Sequence, residues 1–324
     1  MSGSTRPILT PGFAPRTLWR MSTQATASAE PVEKLSSMGI GLAVVGLLWM
    51  AGMLWSARAT ITGKADAETE VVYTAYALPG AVSASLVAGA AVALAVLTLV
   101  SRGGRAQGAT ARFAISAGTG LVLGALGAVS IITINTEGWV YAVVGGTVAA
   151  ATTIGGALAG FRATRVVAAV CWAAIAVFLV GFILNFVQTP LLNLFGSGST
   201  SASQTTAASW FALTQSVLSG LAAGLVPFFL LRRAGRRAGT ALGWPFYALA
   251  GAGPGLLLVL TEGLARTAGA RVLSLAGRVS ELETTVQQML GGSRLNNALI
   301  VLFVGAISAI IAVGRTLGPA PEES

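Results

Sequence analysis

Two of the few acidic residues in this chain occur in the same triplet, each at the end of a long apolar run. Thr-Glu-Gly stands at 136–138 and again at 261–263. An enzyme acting at the outer membrane face would use Glu137 and Glu262, and this is the third of three functional hypotheses. The same repetition also suggests that the chain contains two related halves.

The sequence lacks the residues that other common catalytic mechanisms need. The chain has no histidine and one cysteine, Cys171, which lies inside an apolar run. A histidine-assisted nucleophile and a histidine-ligated metal are therefore excluded, and no cofactor or metal is predicted. No charged residue lies near the middle of an apolar run, so a proton relay at the membrane midplane is not expected.

The remaining polar side chains gather near the ends of apolar runs that the topology below places outside. They form a candidate outer polar rim: Asn135, Glu137, Asn185, Gln188, Gln215, Glu262 and Asn296. If these residues act together, they would line a vestibule. Otherwise they are ordinary interfacial residues at helix ends. Glu262 has a second interpretation, a local ion pair with Arg266 four residues later.

The composition is that of a membrane protein. Hydrophobic residues make up 54% of 324 positions and charged residues 10%, and the mean hydropathy is +0.78. The net charge of +9 resides in short gaps between apolar runs, where membrane orientation explains it better than nucleic-acid binding does. The lipid bilayer is the expected partner, and nucleic acid is not.

The apolar runs define the predicted fold class, an all-α polytopic membrane protein with about eight transmembrane helices. Each run is near the roughly 20 residues that a spanning helix needs. The runs lie at about 38–57, 75–100, 113–134, 140–161, 166–187, 211–231, 244–264 and 297–314. The predicted divisions are a flexible cytoplasmic tail at 1–34, four-helix membrane halves at 35–165 and 166–318, and a short tail at 319–324.

The basic residues predict the orientation. With both termini in the cytoplasm, fourteen of the twenty Lys and Arg residues fall inside, whereas most acidic residues fall outside. Eight runs and a composition rich in Ala, Gly, Val and Arg predict a multi-pass protein of a bacterial plasma membrane.

The halves match in order along the chain, which predicts a 4+4 parallel tandem repeat. Residues 76–89 match 211–224, the links at 102–111 and 233–241 share R-x-G-R-x-x-G, and 113–120 match 246–253. Four spans per half give both halves the same orientation in the membrane. Glu137 and Glu262 are then predicted to be equivalent residues, both hydrated at the outer interface.

An insertion at 266–294 distinguishes the second half. Its apolar residues follow a 3,4 spacing typical of a helix-partner seam: Val272, Leu275, Val279, Leu282, Val286 and Met289. The spacing predicts one extracytoplasmic amphipathic helix over about 270–290, ended by Gly-Gly-Ser-Arg at 291–294. The seam would either cover the bundle as a lid or bind another chain.

The preferred functional hypothesis is a non-catalytic membrane component that assembles with itself or with a membrane-protein partner through its extracytoplasmic face. The alternative is a permease-like transporter that passes a small solute between the two halves, an analogy with other repeated membrane folds. A wet central cavity with convergent polar groups would distinguish transport from assembly.

Overall fold

The computed structural model describes residues 37–62, 67–101, 108–134, 139–239 and 242–316. In these ranges the regular structure is helical. The helices are α1 (Ser37–Ile61), α2 (Ala67–Ser101), α3 (Ala109–Ile132), α4 (Trp139–Ala159), α5 (Thr164–Phe186), α6 (Gln188–Leu194), α7 (Ser201–Ala238), α8 (Trp244–Thr267), α9 (Ala270–Val279) and α10 (Glu281–Gly314).

Eight of these helices are long and apolar enough to cross a membrane, and they coincide with the eight predicted runs: α1 to α5, α7, α8 and α10. The outward faces of the bundle carry exposed large apolar side chains, among them Leu48, Val122, Leu126, Phe182, Phe229 and Phe303. Such surfaces are stable against lipid and not against water. The chain is therefore an integral membrane protein of all-helical fold.

Three spanning helices are longer than their apolar runs. The helices α2, α7 and α10 have 35, 38 and 34 residues, which corresponds to about 50–57 Å at 1.5 Å per residue. The hydrocarbon core of a bilayer is about 30 Å thick. Parts of all three helices must therefore extend beyond the hydrocarbon.

Helix α2 is the centre of the bundle. It contacts α1, α3, α4, α5, α8 and α9, and its side chains from Ala75 to Ala93 are mostly buried. Its apolar residues belong to one cluster that includes Cys171 and Leu257 of the second half. The largest apolar cluster thus includes residues from both parts of the chain.

The four spanning helices of each half pack in the same order of closeness. The third and fourth spans make the most extensive contact (α3 with α4, α8 with α10), followed by the second with the fourth (α2 with α4, α7 with α10). In both halves the next most extensive contact is between the first and second spans. It is followed by the contact between the second and third spans, and then by the contact between the first and third spans.

The charged residues divide the bundle into two ends. In the described ranges the acidic residues are Glu68, Glu70, Glu262, Glu281 and Glu283, at the starts of α2 and α10 and the end of α8. We call this the acidic end. The opposite, arginine-rich end carries Arg112, Arg162, Arg165, Arg232, Arg233, Arg236, Arg237 and Arg315.

The amphipathic insertion exists, but not as the single helix that was predicted. Helix α9 ends at Val279, and Ser280 adopts an extended conformation (φ −160°, ψ 156°). The Ser280 hydroxyl accepts a hydrogen bond from the Glu283 amide at 3.0 Å, which caps the start of α10. The helix is therefore broken in the middle of the seam.

The predicted helix end at 291–294 is also wrong, because α10 continues through these residues to Gly314. Gly291 is buried against α8, where an added Cβ would lie 3.0 Å from Arg266 Nη2 and 3.3 Å from Glu262 Oε1. This glycine permits a close approach between helices and does not form a turn.

Candidate functional site

The acidic end contains a buried carboxylate held by two arginines. Glu262, near the end of α8, is 4% exposed. Its Oε1 accepts a hydrogen bond from Arg266 Nε at 2.7 Å, and its Oε2 accepts one from Arg294 Nε at 3.1 Å. The predicted local pair with Arg266 is confirmed, whereas the predicted hydrated carboxylate is wrong, since α10 covers Glu262 and supplies Arg294.

A second carboxylate joins α10 to α2. Glu283 Oε2 accepts a hydrogen bond from the Tyr76 hydroxyl at 3.1 Å, and its Oε1 accepts one from Gln287 Nε2 at 2.9 Å. Tyr76 and Glu283 lie 207 residues apart in the chain. This contact therefore connects the first half to the end of the second.

A third carboxylate joins α2 to α4. The Tyr141 hydroxyl donates a hydrogen bond to Glu70 Oε1, and the Thr74 hydroxyl donates to the Glu70 backbone carbonyl at 2.7 Å. We call the three carboxylates and their partners from other helices the end cluster: Glu70, Tyr76, Tyr141, Glu262, Glu283 and Arg294. It links α2, α4, α8 and α10 at one end of the bundle.

The end cluster is suited to fixing helices rather than to proton transfer. Both oxygens of Glu262 accept hydrogen bonds from guanidinium groups, one on its own helix and one on α10. In the described residues no group of three or more Cys, Asp or Glu side chains could hold a metal ion. These hydrogen bonds and ion pairs hold neighbouring helices together.

Within the described residues, two members of the predicted outer polar rim lie beside one glycine. Asn135 and Glu137 lie outside the described ranges. Asn185 is exposed and donates to the Gly181 carbonyl at 2.9 Å, and Gln215 lies beside the same glycine. Gln188 and Asn296 are exposed on α6 and α10, and Glu262 is buried between α8 and α10.

The predicted seam divides at Ser280 into two parts with different surroundings. On α9, Val272 is completely buried, Leu275 is half-buried and Val279 is at the exposed end of the helix. Helix α9 contacts α2, α4 and α8.

On α10, Val286 is half-buried, whereas Leu282 is 74% exposed and Met289 is 71% exposed. The α9 part of the seam covers the bundle, and the α10 part leaves two large apolar side chains uncovered.

Leu282 and Met289 lie in the first turns of α10, before its long apolar run. Helices α7 and α10 run parallel, with Gly220 against Val304 and Gly224 against Ser308. Ten residues before these contacts, the exposed Trp210 of α7 is level with Arg294 of α10. Met289 and Leu282 then lie about 8 and about 18 Å beyond that level along the helix axis.

Comparisons with protein-family models, with curated proteins and with solved structures found no match to this chain.

Proposed function

We propose that this integral membrane protein is a non-catalytic component that assembles with itself or with another membrane protein through the acidic end of its bundle. The observation that carries the proposal is the exposure of Leu282 and Met289 in the first turns of α10, at the acidic end of the bundle. A large apolar side chain in water favours burial by about 1.5–3 kcal/mol. Two of them on one helix, seven residues apart, provide an anchor for a partner surface.

The orientation is part of this proposal. We propose that the arginine-rich end faces the cytoplasm of a bacterial cell and that the acidic end faces outward from the plasma membrane. In the described ranges, eight arginines lie at the arginine-rich end and five at the acidic end. This excess supports the orientation, because basic residues flanking spans are retained on the cytoplasmic side. The assembly surface is then extracytoplasmic.

The test introduces a charge into the uncovered part of the seam. The variant Leu282→Asp should shift the detergent-solubilised protein to a smaller assembly, measured by size-exclusion chromatography with light scattering. A charge in a dry interface costs several kcal/mol, which is enough to dissociate an assembly at micromolar concentration.

The matched control is Gln288→Asp, which adds the same charge at an exposed polar position of the same helix segment and should leave the assembly size unchanged. A monodisperse monomer in the wild type, purified alone and from its native membrane, would refute assembly through this surface.

The transporter alternative has weaker support. The second half packs against α2 through α5 and α8, and the α2 residues in this region are almost completely buried in apolar surroundings: Ala75, Leu78, Ala81, Val82 and Leu86. A solute path between the halves would have to separate this packing, in which Ser85 of α2 is a buried polar residue among these apolar ones, whereas a solute site needs several convergent polar groups.

The repeat is a further part of the proposal, and glycine contacts support it. In the first half, one carbonyl of the fourth span, that of Thr152, lies against two glycines. An added Cβ on Gly89 of α2 or on Gly120 of α3 would overlap this oxygen. Both helices therefore reach their closest approach to α4 at one residue.

The second half has the same arrangement. The carbonyl of Gly305 in α10 lies against Gly224 of α7 and Gly251 of α8, and a Cβ on either would overlap it. The proposed repeat therefore matches α1 to α4 with α5, α7, α8 and α10, in agreement with the shared order of helix contacts.

These contacts change the proposed register. They make Gly120 equivalent to Gly251, two residues away from the match of 113–120 with 246–253. Eleven residues further along each helix, Ile131 then corresponds to Glu262. The proposed repeat thus pairs Glu262 with a buried isoleucine, and not with Glu137, which lies outside the described ranges.

A further inference from the structure

An apolar groove opens between α1 and α3. Its volume is about 310 Å³, and its walls include Leu47, Leu54 and Trp55 of α1 and Leu123 and Leu126 of α3. Leu126 and Trp55 are among the most exposed apolar residues of the chain. The groove lies on the outside of the bundle, where lipid surrounds a membrane protein.

The groove has the length of a lipid chain in one leaflet. It extends along α1 from Leu47 to Arg58, which corresponds to about 16 Å at 1.5 Å per residue. Half of the hydrocarbon core is about 15 Å thick. An acyl chain that enters at the acidic end would therefore fill the groove and end near the bilayer centre.

A cation stands at the mouth of the groove. Arg58 Nη1 donates to the Ser130 carbonyl at 3.0 Å and to the Thr133 hydroxyl at 3.2 Å. Both acceptors are neutral, so they orient the guanidinium without neutralising its charge. A planar guanidinium held in this way suits a phosphate oxygen.

The second half does not repeat this groove to the same extent. Contact between α5 and α8 is more extensive than contact between α1 and α3, although the other helix pairs are similarly packed in both halves. The opening is therefore a local feature of the first half, where α1 and α3 separate on the lipid side.

We propose that the groove between α1 and α3 binds one acyl chain of an anionic phospholipid whose phosphate contacts Arg58. The apolar walls accept the chain. The guanidinium, whose hydrogen-bond partners within the described residues are neutral, favours a headgroup with a net negative charge over a zwitterionic one, in which a cationic group offsets the phosphate. A basic residue near an anionic membrane surface contributes a preference of about fivefold. The site selects a lipid independently of any protein partner at α10.

Trp55 provides the measurement, because it is 75% exposed and lines the groove. The protein is reconstituted into phosphatidylcholine vesicles containing a fixed fraction of phosphatidylglycerol, with bromine on the acyl chains of either lipid. The difference in fluorescence between wild type and Trp55→Phe isolates the Trp55 signal from that of the other tryptophans. Per brominated lipid, phosphatidylglycerol should quench Trp55 about fivefold more effectively than phosphatidylcholine.

Three variants test whether Arg58 causes the preference for phosphatidylglycerol. Arg58→Gln should abolish the preference, whereas Arg58→Lys, which keeps the charge, should retain most of it. Arg278→Gln removes an exposed arginine of α9 at the same end and should leave the preference unchanged.

Equal quenching by the two lipids in the wild type, or an equal loss with Arg278→Gln, would overturn the proposal. If Arg58→Gln fails to fold, Leu126→Trp provides a second test, because it fills the groove while keeping Arg58. In a Leu126→Trp background the Trp55-dependent preference should disappear, and a persisting preference would contradict acyl-chain binding in the groove.

Discussion

Glu262 and Arg294 lie 32 residues apart in the chain and form an ion pair with a distance of 3.1 Å between Oε2 and Nε. The pair joins α8 to α10 across the acidic end of the bundle. Arg266 binds the other oxygen from within α8, four residues after Glu262. One carboxylate therefore makes a local contact and a contact between spanning helices.

The two arginines should contribute unequally to stability. Arg294→Gln removes the contact between helices beside a buried carboxylate and should cost about 1–3 kcal/mol, less than the full value for a buried pair because Arg266 remains. Arg266→Gln removes a contact within one helix whose arginine is about half exposed, so it should cost less, under about 1 kcal/mol. Thermal unfolding in detergent compares the stability of the two variants. Equal losses would show that the contact with α10 contributes no more than the contact within α8.

The glycines at the helix contacts should not tolerate a methyl group. Gly120→Ala places a Cβ against the Thr152 carbonyl and should destabilise the protein by about 1–3 kcal/mol. Gly118→Ala, two residues earlier on the same helix, meets nothing within 4 Å and should be neutral or slightly stabilising. If the proposed repeat is correct, Gly251→Ala should resemble Gly120→Ala, and a neutral Gly251→Ala would contradict the register.

The two parts of the seam should respond differently to charge. Val272→Asp places a carboxylate in the apolar contact between α9 and the bundle, so it should lower the thermal midpoint without changing assembly size. Ser274→Asp adds the same charge to an exposed position of α9 and serves as its control. A smaller assembly with Val272→Asp at unchanged stability would mean that α9 binds a partner, contrary to its packing here.

The orientation can be measured with single cysteines. Ser199→Cys lies between α6 and α7 near the acidic end, and Ala238→Cys ends α7 at the arginine-rich end, both at exposed positions. In intact cells an impermeant thiol reagent should label the cysteine at 199 and not the one at 238. The native Cys171 is buried and should give little background, while the opposite labelling pattern would reverse the proposed orientation.

The spanning helices could be predicted because each is a local property of about twenty consecutive residues. The extensions of α2 and α7 were missed, since these turns are polar. The first turns of α10 were predicted to be helical, but as part of a separate helix over about 270–290. The break at Ser280 did have a local signal: a serine followed three residues later by a glutamate is a capping sequence. The regular spacing of the seam across Ser280 obscured it.

The end cluster could not be predicted from spacing. Arg294 reaches Glu262 only because Gly291 brings α10 close to α8, and the same glycine suggested a helix end when it was considered in the sequence alone. Burial of Glu262 depends on this approach. Acidic residues near helix ends indicated which end would be polar, but their partners Tyr76 and Tyr141 contact them over more than seventy residues.

The position of α9 on α2 has a consequence for biosynthesis. About 170 residues separate the end of α2 from the start of α9, and a ribosome adding about 5–20 residues per second needs about 10–35 s to translate them. Leu78 of α2 packs against Gly269, the residue before α9. During that interval this part of Leu78 is not yet covered by the α9 segment. Completion of the first half is thus postponed until the second half is nearly translated, and a membrane insertase or chaperone has time to bind the uncovered surface of α2.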